Sequence, residues 1–180
     1  RISDLVLHHV LRPGSAGAVT DALPFVHRTL DLVKDSGPKT AILARADAAF
    51  DSNAVLAACE RRGAGYVVKM RATPDVAAHV AHLAPQAWRR VEVDGDGEIM
   101  ATWFFWQRAT AWSAPRRVVV LRKRGLDRMQ GHLFDALGWA YSFYVTNLDW
   151  EAAAIARFYD KRADVERTIC ELKNDLFIDH

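Results

Sequence analysis

An α/β fold is predicted by three features of the sequence. Up to about Met70, short apolar runs alternate with segments of helical period, which favours strands and helices in turn. From about Ala72 the pattern changes to apolar runs of strand length separated by turn residues. A further strand and helix follow from Tyr141 onwards, so strand and helix alternate again at the end of the chain.

The first part of the chain is predicted to contain three strands and two helices. The strands are residues 4–11, 40–43 and 66–70, and the helices are residues 21–34 and 54–62. Ser52 or Asn53 can cap the second helix, Asp51 is also expected at this cap, and Gly63 ends the helix. Parallel pairing is expected for these strands, and Asp47 falls just past the end of the second one, where ligands bind in such sheets.

The second part is predicted to be richer in strands. A short helix over residues 74–83 precedes strands at 91–93, 99–106 and 117–121, and the turn at 94–97 is a hairpin signal. Residues 141–146 form the next strand, and Asn147 or Asp149 begins the last helix. This arrangement places the final helix directly after a strand.

The composition is that of a globular protein. The 180 residues are 51% hydrophobic and 26% charged, enough for one domain with a real core. No apolar run approaches the roughly 20 residues that a membrane span requires. Cys59 and Cys170 lack metal-ligand spacing and form no disulfide framework, so we expect two buried thiols in a reducing cytoplasm.

Positive charge is concentrated in one stretch of the chain, although the net charge is only +2. The basic residues there include Arg116, Arg117, Arg122, Lys123 and Arg124, and the neighbouring aromatics are Trp103, Phe104, Phe105, Trp106 and Trp112. Cations neutralise phosphates and rings stack on bases, so the stretch suits a nucleic-acid surface. It equally suits a strand layer with aromatics in the core and arginines on an edge. Both interpretations remain open for individual side chains.

The most specific pattern lies near the end of the chain. Tyr159, Arg162, Glu166 and Lys173 follow the spacing Tyr-x2-Arg-x3-Glu-x6-Lys. Since each helical residue advances about 100°, these steps bring all four side chains onto one face. A carboxylate can bind a divalent cation, and the flanking groups can bind phosphate oxygens. From the charges alone, a solvated helix face with ion pairs is the favoured explanation of the pattern.

This spacing resembles the Tyr-Arg-Glu-Lys signature of the DDE transposases of bacterial insertion sequences. Residues 41–51 also resemble that family's strand ending in Arg-x-Asp-x-x-Phe, here Arg45, Asp47 and Phe50. The resemblance implies a ribonuclease H-like core, with a mixed sheet and flanking helices, interrupted by a β-rich insertion. On this reading residues 1–71 and 140–180 form the core and residues 72–139 form the insertion.

The resemblance also implies a chemistry. In this family three carboxylates hold two Mg²⁺ ions, which Mn²⁺ can replace, for DNA strand cleavage and strand transfer. Asp47 and Glu166 would be the catalytic metal ligands in this chain. Tyr159, Arg162 and Lys173 would bind phosphates, and the arginines and lysine at 116, 117, 122, 123 and 124 are further candidate DNA contacts.

One part of the family pattern is missing. The first catalytic Asp of the family precedes a segment that resembles residues 6–17, whereas this chain opens at Arg1 with only Asp4 nearby. Seven residues follow Lys173, so the family's C-terminal helices are also missing. We therefore expect the chain to be an internal piece of a longer transposase and to be inactive alone.

The partners that the resemblance implies are double-stranded DNA, as transposon ends and target, and a second copy in a full-length homodimer. No membrane is expected, and the protein would act in the bacterial cytoplasm at the nucleoid. Two alternatives remain. One is a nuclease or junction resolvase with the same fold, and the other is a non-catalytic DNA-binding remnant of a decayed element.

Overall fold

The computed structural model describes residues 22–35, 37, 41–91, 98–108, 111–124 and 138–160. Its strands are β1 (Leu43–Ala46), β2 (Gly65–Met70), β3 (Arg89–Val91), β4 (Glu98–Trp106), β5 (Arg116–Arg124) and β6 (Ala140–Thr146). Its α-helices are α1 (Ala22–Asp35), α2 (Asn53–Arg61), α3 (Pro74–Ala81) and α4 (Ala152–Asp160), with 3-10 turns at Ala48–Phe50 and Pro85–Ala87. The predicted mixed α/β class is confirmed.

The six strands form one mixed sheet in the order β1-β2-β6-β5-β4-β3. The pairing of β1 with β2 is parallel, as expected, and every other pairing is antiparallel. This register brings the last residues of β1, β2 and β5 to the same end of the sheet as the first residues of β4 and β6. Asp47 follows β1 there, and we call this the Asp47 end.

Each face of the sheet carries its own apolar cluster. On one face, α1, α2 and α3 cover the sheet. Leu30, Leu56 and Val76 of these helices belong to one apolar cluster with Val118 and Val120 of β5. On the other face, α4 packs through Ile155 against a cluster that includes Val119. Successive side chains of β5 therefore belong to the two clusters in turn, because side chains alternate between the two faces of a strand and this strand is buried on both.

The β-rich segment does not form a separate layer. Strands β3, β4 and β5 extend the same sheet that contains β1, β2 and β6. The contact is extensive, because β5 pairs with β6 from Arg117 opposite Thr146 to Lys123 opposite Ala140. The boundaries at residues 72 and 140 remain predictions.

Two predicted element positions are wrong. The strand expected at residues 40–43 is β1 at Leu43–Ala46, and Leu43 is 41% exposed rather than buried. In the described residues β1 pairs with β2 alone, so as an edge strand it tolerates polar and exposed side chains.

The last helix begins at Ala152 instead of Asn147 or Asp149, because Asn147 is engaged elsewhere. Its side-chain oxygen accepts from the Tyr66 amide at 2.8 Å, and its amide nitrogen donates to the Ala64 carbonyl at 3.0 Å. These bonds fasten the end of β6 to the start of β2.

Three local expectations are confirmed: the Ser52 cap of α2, the position of Gly63 after that helix, and the burial of Cys59. Helix α2 is capped by Ser52, whose Oγ accepts from the Val55 amide, and Gly63 follows the helix with a φ of 66°. Cys59 is buried. Within the ranges given above, no helix combines the length and apolar character needed to cross a bilayer. The strand at 4–11, the turn at 94–97 and Cys170 lie outside the described residues.

Candidate active site

Asp47 is held in one orientation at the end of β1. Its backbone is extended, and it is the N-cap of the 3-10 turn Ala48–Phe50. Its Oδ1 accepts a hydrogen bond from the Ala49 amide at 2.9 Å. Because the side chain is only partly buried and its cap fixes one oxygen, the carboxylate has a defined position at the Asp47 end.

Asp51 does not cap α2, contrary to the expectation from sequence. Its Oδ2 accepts from Arg108 Nη1 at 2.7 Å, and its side chain is only 3% exposed. Burial raises the pKa of this carboxyl, although Arg108 opposes that shift. Arg108 also donates to the Arg71 carbonyl at 3.4 Å. The buried pair therefore clamps the loop carrying Asp47 to the segments that follow β2 and β4.

Tyr159 lies in the last described turn of α4, and its ring is packed into the core. It is 7% exposed, and its ring centroid is 4.9 Å from that of Tyr144 on β6. Because the ring is buried, any phosphate contact by Tyr159 would have to be made by its hydroxyl group. Its phosphate-binding role remains a prediction.

A polar link joins α4 to the strand that delivers Asp47. Arg45 of β1 donates through Nη1 to the Phe158 carbonyl, and its guanidinium carbon lies 5.3 Å from the centroid of the Phe158 ring. Arg45 stands two residues before Asp47. In the sequence, Arg45 was recognised only as part of the Arg-x-Asp-x-x-Phe pattern, and no role was predicted for it.

The other signature residues, Arg162, Glu166 and Lys173, lie outside the described residues. Within the described ones, no cluster of three or more His, Cys, Asp or Glu side chains could hold a metal ion. Asp47 itself suits Mg²⁺, which prefers carboxylate oxygens.

Arg116 is largely buried and is engaged within the protein, and its role as a DNA contact remains a prediction. Its side chain is 5% exposed, and Nε and Nη2 donate to the two carboxylate oxygens of Glu60 at 2.7 and 3.0 Å. Nη1 donates to Asn53 Oδ1 at 3.0 Å, and Tyr66 donates to the same Glu60 carboxylate at 2.8 Å. The network holds α2 on the sheet, and the hydrogen bonds from Arg116 lower the pKa of Glu60.

Arg117 anchors the segment between β6 and α4. Its Nη1 donates to the carbonyls of Leu148 and Trp150, and its guanidinium carbon lies 4.8 Å from the Trp103 ring centroid. Trp103 and Phe105 project from the same face of β4 and are 52% and 67% exposed. Much of Arg117's hydrogen-bonding capacity thus serves the chain itself.

Arg122, Lys123 and Arg124 bring positive charge to the Asp47 end of the sheet. Arg122 lies between Trp88 and Trp139, 4.2 and 4.5 Å from their ring centroids. Arg124 is 52% exposed, lies 4.6 Å from the Trp139 centroid, and pairs with Glu98 at 2.7 Å. Lys123 projects from the opposite face of β5 and is half-buried. Of the five basic candidates, Arg124 presents the most accessible charge.

The family of this chain is established by comparison with known proteins. A search of curated proteins finds no match. The family model described as transposase DDE domain, group 1, matches residues 2–180, which includes Asp47 and the whole signature segment. Domains of this family are ribonuclease H-like in general, in agreement with the mixed sheet and flanking helices. The chain therefore belongs to the DDE transposase domain family.

Proposed function

We propose that this chain is the catalytic region of a transposase of a bacterial insertion sequence that cuts and joins DNA at the ends of its element. Family membership supports DNA phosphoryl transfer as the chemistry. The residue assignment rests mainly on the position of Asp47. This residue caps the 3-10 turn that directly follows β1. Strand β1 is itself linked to α4 through Arg45. Tyr159 lies in α4, and the other signature residues follow this helix in the chain.

Asp47 and Glu166 would hold Mg²⁺, or Mn²⁺ in its place. When bound, the metal pair of this family supplies an activated nucleophile and stabilises the leaving oxygen. Asp47 contributes a carboxylate whose direction is set by the Ala49 amide. Glu166 would complete the pair from the segment after α4.

The DNA would be held by cations on both sides of the carboxylates. Arg162 can grip a phosphate through two parallel hydrogen bonds, while Lys173 supplies a point charge and Tyr159 a hydroxyl. At the Asp47 end, Arg124 and Lys123 would extend the phosphate-binding surface. Arg122 would act mainly by its charge, since its guanidinium is enclosed by Trp88 and Trp139.

The full-length protein would act on double-stranded element ends and on target DNA, most simply as a homodimer at the nucleoid.

The test is DNA cleavage by the complete gene product, expressed from its own start codon, on duplexes that carry the element ends. We expect nicking at the ends in Mg²⁺ or Mn²⁺ and its loss in Glu166→Gln, because the neutral amide is a much weaker metal ligand. Asp75→Asn, at an exposed acid on α3, is the matched control and should keep the wild-type rate.

Three other results would count against parts of the proposal. Cleavage that Glu166→Gln leaves unchanged would make the signature helix structural. Cleavage without any joined product would favour a nuclease or resolvase of the same fold. DNA binding without cleavage would favour a non-catalytic remnant.

A further inference from the structure

Arg45 makes two contacts with one residue of α4. Its Nη1 donates to the backbone carbonyl of Phe158, and its guanidinium carbon lies over the Phe158 ring at 5.3 Å. The side chain is half-buried on the α4 face of the sheet. An arginine that served only to keep an edge strand soluble would need neither contact.

The remaining contacts of α4 in the described structure are largely apolar. Ile155 is fully buried, and Tyr159 packs on Tyr144. The hydrophobic effect that drives such packing is non-directional, so it adds no directional restraint at the end of the helix. A charge-assisted hydrogen bond has a preferred direction and length, and it can supply that missing restraint.

The strand at the other end of this link carries Asp47. Since Asp47 stands two residues after Arg45, the hydrogen bond from Arg45 to the Phe158 carbonyl joins the strand before the Asp47 loop to the last described turn of α4. The loop is itself fastened by the Asp51–Arg108 pair. Arg45 therefore connects the end of α4 to a strand whose following loop is itself fastened to the rest of the protein.

We infer that Arg45 is a positioning residue that sets the approach of α4 to the loop carrying Asp47. This inference rests on the proposed function, in which the residues after α4 supply the second carboxylate. Arg45 would touch neither DNA nor metal in this role and would act through the Phe158 carbonyl. Misplacement of a catalytic group by about 1 Å can lower a rate roughly 100-fold.

Lysine should not replace Arg45. The planar guanidinium can stack on the Phe158 ring and donate in its own plane at the same time, whereas an ammonium is a compact donor that prefers water. Arg45→Lys keeps the charge and loses this combination. Arg45→Met keeps the apolar stem and loses both the charge and the donor.

Hydrogen exchange and cleavage kinetics together test the inference on the complete gene product. In Arg45→Met we expect amides of residues 152–160 to exchange roughly tenfold faster, with β5 unchanged. We also expect turnover at saturating DNA to fall roughly 10- to 100-fold, while the DNA dissociation constant changes less than about threefold. Arg45→Lys should show the same turnover defect. Arg61→Met, at an exposed arginine on α2, should behave as wild type.

Each contrary result has a defined meaning. Unchanged exchange of residues 152–160 in Arg45→Met, or full turnover in Arg45→Lys, would overturn the inference even if the protein is a transposase. A turnover defect shared equally by Arg61→Met would overturn it as well. If wild-type protein cleaves no DNA, the proposed function fails and the positioning role with it, although faster exchange would still establish the link to α4 as structural.

Discussion

Asp47→Asn should abolish metal-dependent DNA cleavage by the complete gene product, lowering the rate by about 10³-fold or more. The physical reason is the loss of a negative ligand at a site where the metal must stabilise developing charge. The fold should survive, because asparagine is as good a cap as aspartate and its side-chain oxygen can still accept from the Ala49 amide. Cleavage rates in Mg²⁺ and thermal unfolding, measured on the same preparations, check both parts.

Two further variants serve as comparisons for Asp47→Asn. Asp47→Ala removes the cap as well as the ligand, so it should lose stability that Asp47→Asn retains. Asp75→Asn removes an exposed carboxylate from α3 and should leave the cleavage rate unchanged. An Asp47→Asn protein that cleaves at the wild-type rate would remove Asp47 from the metal site.

Glu60→Ala should lower the free energy of unfolding by about 2–3 kcal/mol. It leaves the 5%-exposed Arg116 guanidinium without its carboxylate, although Asn53 Oδ1 still accepts from it. We place the loss below that of a fully buried pair because the Glu60 side chain is 36% exposed. Denaturant unfolding of this chain measures the change directly.

A double variant distinguishes a structural pair from a DNA contact. Glu60→Leu combined with Arg116→Met replaces the pair by apolar groups, so it should be more stable than Glu60→Ala. It should also bind DNA as wild type does, whereas Arg124→Gln at the exposed position should weaken binding and reduce its salt dependence. Loss of DNA affinity in the double variant, with its stability intact, would restore Arg116 to the DNA surface.

Local pattern predicted most of the described elements. Strand β4 and helix α2 lie within one or two residues of their predicted bounds, because an apolar period and a cap are local signals. The parallel pairing of β1 with β2 followed from the helix between them. The position of Asp47 beyond a strand end followed from the same segment.

Partner choice among charged residues could not be predicted in the same way. Arg116 and Arg124 stand at the two ends of β5 with similar local sequence, yet one is buried against Glu60 and the other is exposed. The difference depends on α2, which lies more than 50 residues earlier in the chain. Asp51 was misassigned for the same reason, since its partner Arg108 is distant in sequence.

The order of the strands in the sheet is the other feature that depends on residues far apart in the chain. Strand β6 inserts between β2 and β5, with Val145 opposite both Val68 and Val118. Apolar alternation identifies such a strand as buried on both faces but carries no information on which neighbours it selects. The continuity of the β-rich segment with the core therefore emerged only from the structure.

The central claim is that Asp47 and Glu166 belong to one metal centre. Its most direct test is the distance between their carboxylates in a crystal structure of the complete gene product grown with Mn²⁺, whose anomalous signal locates the ions. We expect the two carboxylates about 4–8 Å apart with Mn²⁺ bound to both. Carboxylates on opposite sides of the sheet, with no Mn²⁺ at Asp47, would contradict it.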